Sequence, residues 1–192
     1  MSAEPDGEIL VHVFWDLNKS ELTNYPRIVD APNVLVDNMN TALKTLNHRY
    51  KIHHITACGN YENFIYSRMV ENIYAPERYC LCNDCTRMIR SNSEYALLRH
   101  VDTKVYFDKR ETPDLMLTRM IHNEVRKNRE NRDVILLITG DPAFQKLMMD
   151  IQSLGNTVLL AYPAGAENFV GFGLGITAKW RLQNLIYGGP RN

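Results

Sequence analysis

The sequence lacks the features that mark several common classes of protein. No hydrophobic run approaches the roughly 20 residues of a membrane-spanning helix. The opening segment, residues 1–8, is acidic and polar, unlike a secretory or transit signal. Lysine plus arginine and aspartate plus glutamate number 22 each, so the formal net charge is zero. We therefore predict a soluble, cytoplasmic protein without a membrane partner, and any nucleic acid would need a local basic patch.

Internal repeats, low-complexity tracts and a glycine-rich phosphate loop are also missing. The 192 residues are 45% hydrophobic and 23% charged, an ordinary globular composition, and their number suits one domain. We predict a single domain over residues 9–187 with a cysteine-bearing insert at about 74–92. A disordered N-terminus over 1–8 and a short tail over 188–192 would flank it.

Cysteines are few, and three of the four lie close together. Cys82-x-x-Cys85, with Cys80 just before it, has the spacing of a zinc knuckle whose fourth ligand would be Cys58 or His100. The sequence has no second Cys-x-x-Cys pair. Two interpretations remain open, a structural zinc ion and reduced thiols without a metal, and the second is usual for an intracellular protein.

Short apolar runs alternate with amphipathic segments along most of the chain. Residues 134–138, Val-Ile-Leu-Leu-Ile, are too few for a helix and predict a strand buried on both faces. Further strands are predicted at 9–15, 51–58, 101–107 and 157–162, and helices at 32–46, 62–73, 95–98, 113–125, 144–151 and 178–187. This alternation predicts an α/β protein with a central, mainly parallel sheet of about five strands.

Three aspartates stand where such a sheet binds ligands. Asp16 follows the first strand, Asp141 follows the strand at 134–138, and Asp114 lies in the first turn of the helix that begins at Pro113. Two of them have a structural alternative, because Asp141 is suited to cap the next helix and Asp114 to interact with a helix dipole. If they share one cleft, their like charges require a divalent cation, and oxygen ligands select magnesium or manganese.

The helix from Pro113 also carries basic residues, with two interpretations. A charged face that meets only solvent is the commoner arrangement on surface helices. A face that follows a phosphate backbone is the alternative. The residues concerned are Arg119, His122, Arg126, Lys127, Arg129 and Arg132.

Three segments together resemble the NYN domain, a branch of the PIN-like ribonuclease superfamily, most of all its limkain and meiosis-arrest type. They are Val-Phe-Trp-Asp at 13–16, residues 109–121 around Asp114, and Leu-Leu-Ile-Thr-Gly-Asp-Pro-Ala-Phe at 136–144. The resemblance covers roughly residues 9–187 apart from the insert. It implies a PIN-like three-layer α/β/α fold and a metal-dependent endoribonuclease that hydrolyses single-stranded RNA in RNA turnover or regulation of gene expression. Location in the cytoplasm, at peroxisomes or in RNA granules is also implied.

The resemblance assigns roles to individual residues. Asp16, Asp114 and Asp141 would be catalytic and would bind Mg²⁺ or Mn²⁺, with Asn60 behind them as an orienting group. Protein partners or self-association are further expectations. RNA would be held by Asn18, Lys19, Lys109, Arg110, Arg119, Arg126 and Lys127.

Three departures from the family pattern define an alternative. Ala143 stands where the family has a second acid, Asn60 where relatives often have aspartate, and Asn18-Lys19 where a Glu-Asn pair is common. The ammonium group of Lys19 could even take the place of a metal ion. The alternative is a catalytically degenerate NYN domain that serves as an RNA-binding or protein-interaction scaffold.

Overall fold

The structure is a computed structural model that describes residues 7–20, 32–60, 77–80, 87–90, 103–108, 111–127, 134–166 and 175–191. Eight strands are β1 (Ile9–Asp16), β2 (Tyr50–Asn60), β3 (Glu77–Cys80), β4 (Arg87–Arg90), β5 (Thr103–Asp108), β6 (Val134–Ile138), β7 (Thr157–Tyr162) and β8 (Ala178–Arg181). The α-helices described are α1 (Pro32–Lys44), α2 (Pro113–Lys127), α3 (Gln145–Ser153) and α4 (Leu182–Ile186).

One sheet contains all eight strands, in the order β3-β4-β5-β2-β1-β6-β7-β8. The pairs from β5 to β8 are parallel, whereas β4 runs antiparallel to both β3 and β5. The central strands are β1 and β6, which pair directly. The predicted α/β class with a mainly parallel central sheet is confirmed.

A first hydrophobic core fills the space between the sheet and helices α1 and α4. Trp15 and Trp180 are completely buried there, and the Nε1 of Trp15 donates a 2.8 Å hydrogen bond to the carbonyl of Ser20. Alternate residues of β1 point into this layer, as the twofold periodicity of a strand requires. Helix α1 contributes Leu35, Met39, Ala42 and Leu43.

A second core lies on the opposite face, under α2 and α3. Phe14 of β1 packs into it together with Phe144, which precedes α3. The helices contribute Met116, Leu117, Ile121, Val125, Leu147, Met148 and Ile151. Helices on both faces of the sheet make the three-layer α/β/α sandwich. The remaining side chains of β1 on this face are Leu10, His12 and Asp16, because they alternate with the residues of the first core.

The pairing of β1 with β2 contains a one-residue irregularity. The register shifts between Val11 and His12, so that His53 is the extra residue of β2. As a result Ile52 and Ile55 both enter the first core although they are three residues apart. The rings of His12 and His53 approach to 5.4 Å between centroids.

Two predictions of local structure are wrong. Residues 178–187 were predicted as one helix, but Ala178–Arg181 is strand β8, whose alternate residues are buried, and α4 begins only at Leu182. Pairing with β7 outweighs the helical pattern of so short a segment. The second wrong prediction concerns the insert at about 74–92. The sequence predicts no strand there, whereas the structure has β3 and β4. The predicted helices at 62–73 and 95–98 lie outside the described residues.

Within the described ranges, no helix is both long enough and apolar enough to cross a lipid bilayer.

Candidate functional site at the carboxyl edge of the sheet

Two neighbouring central strands bring Asp16 and Asp141 to one edge of the sheet. Asp16 is the last residue of β1, and its neighbour Trp15 pairs with Ile138, the last residue of β6. Asp141 follows three residues later in the segment that leads to α3. The Asp141 carboxylate is close enough to act on the charge of Asp16. The structure thus brings two of the three predicted acids near each other, and the site that they would form with Asp114 stays a prediction.

Thr139 connects the two acids. Its hydroxyl donates a 2.9 Å hydrogen bond to Oδ2 of Asp16 and accepts one of 3.0 Å from the backbone N–H of Asp141. Thr139 is completely buried, and its contact with Asp16 is shielded from water. The other carboxylate oxygen of Asp16, Oδ1, accepts from the backbone N–H of Asn18 at 3.1 Å. The orientation of Asp16 is thus determined by the chain on both sides of it.

Asp16 is a carboxyl group held in an unfavourable place for a charge. Only 2% of the residue is exposed. Burial raises the pKa of Asp16 from 3.8 to about 6, and the nearby Asp141 adds to the rise. Hydrogen bonds from Thr139, Asn18 and the backbone of Lys19 act in the opposite direction. They do not cancel the cost of burial, so the free carboxylate is destabilised in the folded protein.

Asp141 has a structural role that the sequence also anticipated. Its side chain accepts a 2.9 Å hydrogen bond from the backbone N–H of Ala143 and so caps the short 3₁₀ turn Pro142–Phe144 that precedes α3. Oδ1 makes this contact. Asp141 is only half-buried. The cap therefore leaves room for a second partner, but it accounts for the position of Asp141 without one.

Asp114 lies in the first turn of α2 and is half-buried. Among the described residues, no group of three or more histidine, cysteine, aspartate or glutamate side chains is placed to hold a metal ion. The structure thus pairs Asp16 with Asp141 and does not gather Asp114 with them into a ligand set. A three-carboxylate site for Mg²⁺ or Mn²⁺ stays a prediction.

A neutralised ion pair lies close enough to Cys58 to act on its thiol. Glu111 and Arg119 are bound at 2.7 Å, and both influence the thiol of Cys58, as Asp16 does. Cys58 pairs with Asp16 across β1 and β2 and is completely buried. Burial raises the pKa of the Cys58 thiol well above its ordinary value, and its Sγ lies 3.9 Å from the Sδ of Met120. A thiol in this environment stays protonated, which suits core packing better than zinc binding.

The predicted zinc site and part of the predicted RNA site cannot be placed in the described structure. Cys82, Cys85 and His100 lie outside the described residues, and Cys80 and Asn60 are described as parts of strands only. Lys109 and Arg110 also lie outside. The zinc knuckle and the orienting role of Asn60 therefore remain predictions.

The other predicted RNA contacts lie at the surface. Asn18 is half-buried, and Lys19 is exposed, so its backbone contacts Asp16 while its side chain faces solvent. Arg126 and Lys127 are exposed at the end of α2, where Lys127 lies 3.9 Å from Glu124. Of this group, Arg119 is the one shown to act on Cys58, the residue that pairs with Asp16 across β1 and β2.

Sequence reasoning missed Thr139 and Glu111 as members of this region. In the sequence, Thr139 is only a polar residue that follows a buried apolar run. Its role becomes visible once the structure places it against Asp16. Glu111 follows β5 at the same edge, so the rule that placed Asp16 and Asp141 could have included it. Its pairing with Arg119, eight residues along the chain, could not be read from helical spacing because Glu111 precedes the helix.

Comparison with known proteins adds support for the fold. No family model matches the chain, and no curated protein matches it significantly. Among solved structures it is similar to a protein of unknown function from Vibrio parahaemolyticus RIMD 2210633. The two share 12% sequence identity and a TM-score of 0.50 over 96% of this chain and 99% of that one. At this identity the similarity concerns architecture alone.

Proposed function

We propose that the protein is a metal-dependent endoribonuclease that hydrolyses single-stranded RNA at the carboxyl edge of the sheet. The observation that carries the proposal is the buried Asp16 carboxyl, held by Thr139 beside Asp141. The resemblance of the surrounding segments to the NYN domain supplies the substrate class.

The energetics of Asp16 favour a cation partner. A buried carboxyl whose pKa is raised to about 6, with a second carboxylate nearby, is a source of instability in the isolated protein. Nothing in the packing of the core requires an acid at this position, and perturbed groups of this kind concentrate at functional sites. A divalent cation would neutralise both acids and restore the ordinary pKa.

The donor set fits magnesium or manganese. Such ions commonly use one or two protein carboxylates and complete their coordination with water and substrate phosphates. Asp16 and Asp141 would hold the ion, and Asp114 would join them after a local adjustment. The ion supplies a Lewis acid that activates water and stabilises negative charge on phosphate.

The remaining residues have roles that follow from their positions. Thr139 fixes the orientation of the Asp16 carboxyl. Arg119, more than half exposed and bound to Glu111, could exchange that partner for an RNA phosphate. Arg126 and Lys127 would extend the contact along α2.

One observation favours the alternative, a degenerate domain that binds RNA or protein without cleavage. Asp141 is already used as a cap, and Ala143 supplies no second acid. Under this alternative the site would hold no metal ion, and Asp16 would be a remnant whose removal stabilises the protein.

An assay of the cleavage of labelled single-stranded RNA in Mn²⁺ distinguishes the endoribonuclease from the degenerate domain. We expect Asp16→Asn and Asp141→Asn to lower the rate at least about 100-fold, since each removes a ligand charge. Asp150→Asn, which alters an exposed acid of α3, is the matched control and should cleave like the wild type. Cleavage that is equal in all four proteins would identify a contaminant and defeat the proposal. RNA binding without cleavage in the wild type would favour the scaffold.

A further inference from the structure

A cavity lies at the amino end of the sheet, opposite the carboxyl edge that holds Asp16 and Asp141. It has a volume of about 590 Å³, within the range of small-molecule sites. Three segments form its walls: the chain entering β1, helix α1, and the residues around the start of β2. The lining residues are Gly7, Glu8, Asp37, Asn40, Thr41, Lys44, His48, Arg49, Tyr50 and Lys51.

One wall is a polar stripe of α1. Asp37, Asn40, Thr41 and Lys44 recur at three- and four-residue spacing, so they occupy one face of the helix. The opposite face of α1 carries the buried apolar residues of the first core. Asp37 and Lys44, at the two ends of the stripe, are two helical turns apart, roughly 10 Å along the axis. The stripe thus offers a carboxylate and an ammonium group at a separation that suits a small dipolar ligand.

The opposite wall is braced by polar contacts. Lys51 pairs with Glu8 at 2.9 Å, and Nε of Arg49 donates a 2.8 Å hydrogen bond to the carbonyl of Gly7. Both contacts tie the chain entering β1 to the start of β2. Asn40 closes the base by accepting a 2.8 Å hydrogen bond from the backbone of Ile52. The cavity is therefore built from groups whose positions are held by the fold.

The charged groups that face the cavity differ in whether their side chains have an interaction partner. Lys51 is matched by Glu8, whereas the side chains of Lys44, Asp37 and His48 form no hydrogen bond or ion pair with any residue in the described part of the chain. Lys44 and the guanidinium group of Arg49 make a cationic side together with the ring of His48, and Asp37 is an acceptor at the other end of the α1 stripe. A ligand that matches this pattern has an anionic end and a hydrogen-bond donor at its other end.

We propose that this cavity binds a phosphomonoester of nucleotide size. The phosphate would meet Lys44 and Arg49, which supply charge-assisted donors, and the ring of His48. A ribose hydroxyl or the amino group of a base would donate to Asp37. The cavity volume accommodates a mononucleotide and excludes a folded macromolecule.

This site is separate from the proposed ribonuclease centre. The seven steps of β1 from Ile9 to Asp16 span roughly 23 Å, and the cavity lies beyond the Ile9 end. A mononucleotide bound there does not reach Asp16. The inference does not depend on the proposed function, and each can fail without the other.

Titration calorimetry with adenosine 5′-monophosphate, inorganic phosphate and adenosine tests the proposal on the full chain. We expect saturable binding of the monophosphate that weakens with added salt, weaker binding of phosphate, and none of adenosine. Lys44→Ala should weaken monophosphate binding at least about tenfold, and Asp37→Asn should weaken it less. Lys146→Ala removes an exposed lysine from α3 and should bind like the wild type.

Three results would overturn the assignment. The first is the absence of saturable monophosphate binding at millimolar concentration. The second is an equal loss in Lys44→Ala and Lys146→Ala, which indicates non-specific attraction. The third is Lys44-dependent binding of single-stranded RNA without binding of the monophosphate, which would make the cavity part of a nucleic-acid surface. Circular dichroism and an unfolding curve for each variant separate lost binding from lost structure.

Discussion

The two ends of the parallel sheet treat charge in opposite ways. At the carboxyl end Asp16 is 2% exposed and its pKa is raised to about 6. At the amino end Glu8 and Lys51 pair at 2.9 Å with 60% and 52% of their side chains exposed. The first arrangement destabilises the isolated protein, whereas the second has almost no energetic consequence. A buried charged group that destabilises the folded protein points to a function, whereas an exposed charged group does not do so by itself.

The comparison also explains why the two ends call for different tests. At the carboxyl end the position of one acid carries energy, so stability and pH dependence report on it directly. At the amino end the individual contacts are weak, and only their arrangement around a cavity has meaning. Binding, not stability, is the informative measurement there.

The largest effect on stability should come from Asp16. Its pKa is about 6 when folded and near 3.8 when unfolded, so the folded state binds more protons between these values. The free energy of unfolding contributed by this group therefore falls as pH rises from about 4 to 7, by about 3 kcal/mol in the metal-free protein. Asp16→Asn should remove this dependence and raise the melting temperature at pH 7.5.

Urea unfolding of the wild type and Asp16→Asn in EDTA, from pH 4 to 8, measures the difference. Asp150→Asn is again the control and should follow the wild type. Excess Mn²⁺ should stabilise the wild type and leave Asp16→Asn unchanged, since a ligand of the native state shifts unfolding by mass action. If the two curves run parallel at all pH values, the carboxyl end does not differ from the amino end in the way described.

A smaller effect is expected at Thr139. Replacement by valine keeps the shape and leaves Oδ2 of Asp16 and the N–H of Asp141 without their hydroxyl partner, at a cost of about 1–3 kcal/mol. It should also shift the pKa of Asp16 further upward, because the Thr139 hydroxyl lowers that pKa. Thr139→Ser retains the hydroxyl and should retain the pH profile. Carbon-detected NMR of the Asp16 carboxyl gives the pKa, and an unchanged value in the valine variant would contradict the role assigned to Thr139.

The smallest effect belongs to the Glu8–Lys51 pair. A double-mutant cycle with Glu8→Gln and Lys51→Met should give a coupling energy below about 1 kcal/mol, reduced further by 0.5 M salt. Thermal unfolding is sufficient to measure it. A coupling of several kcal/mol would show that the amino end also stores electrostatic energy, and the contrast between the two ends would disappear.

Sequence reasoning succeeded where a pattern is determined locally. The run at 134–138 and the acid after it identify β6 and the carboxyl edge of the sheet, because strand ends and parallel pairing follow from chain order. It also found the cap formed by Asp141, since capping involves neighbours two residues apart.

It failed where distant segments decide the structure. Ala178–Arg181 becomes a strand only because β7 offers an open edge, and the role of Thr139 exists only because β1 lies beside β6. The exposed fraction of each acid could not be predicted from the sequence either. Nothing in the letters around Asp16 shows that this acid is buried while Asp141 remains half-exposed.

The extra residue at His53 has a consequence for how the gene can vary. It lets Ile52 and Ile55 share a face although they are three residues apart, and beyond it Ala57 enters the first core and Cys58 the second, beside Asp16. Loss of the His53 codon would remove the irregularity and leave Ile52 and Ile55 on one face by plain alternation, so Ala57 and Cys58 would keep their sides. Descendants of this gene should therefore tolerate a deletion at His53 better than one between Ile55 and Cys58, which would turn side chains of β2 to the opposite face.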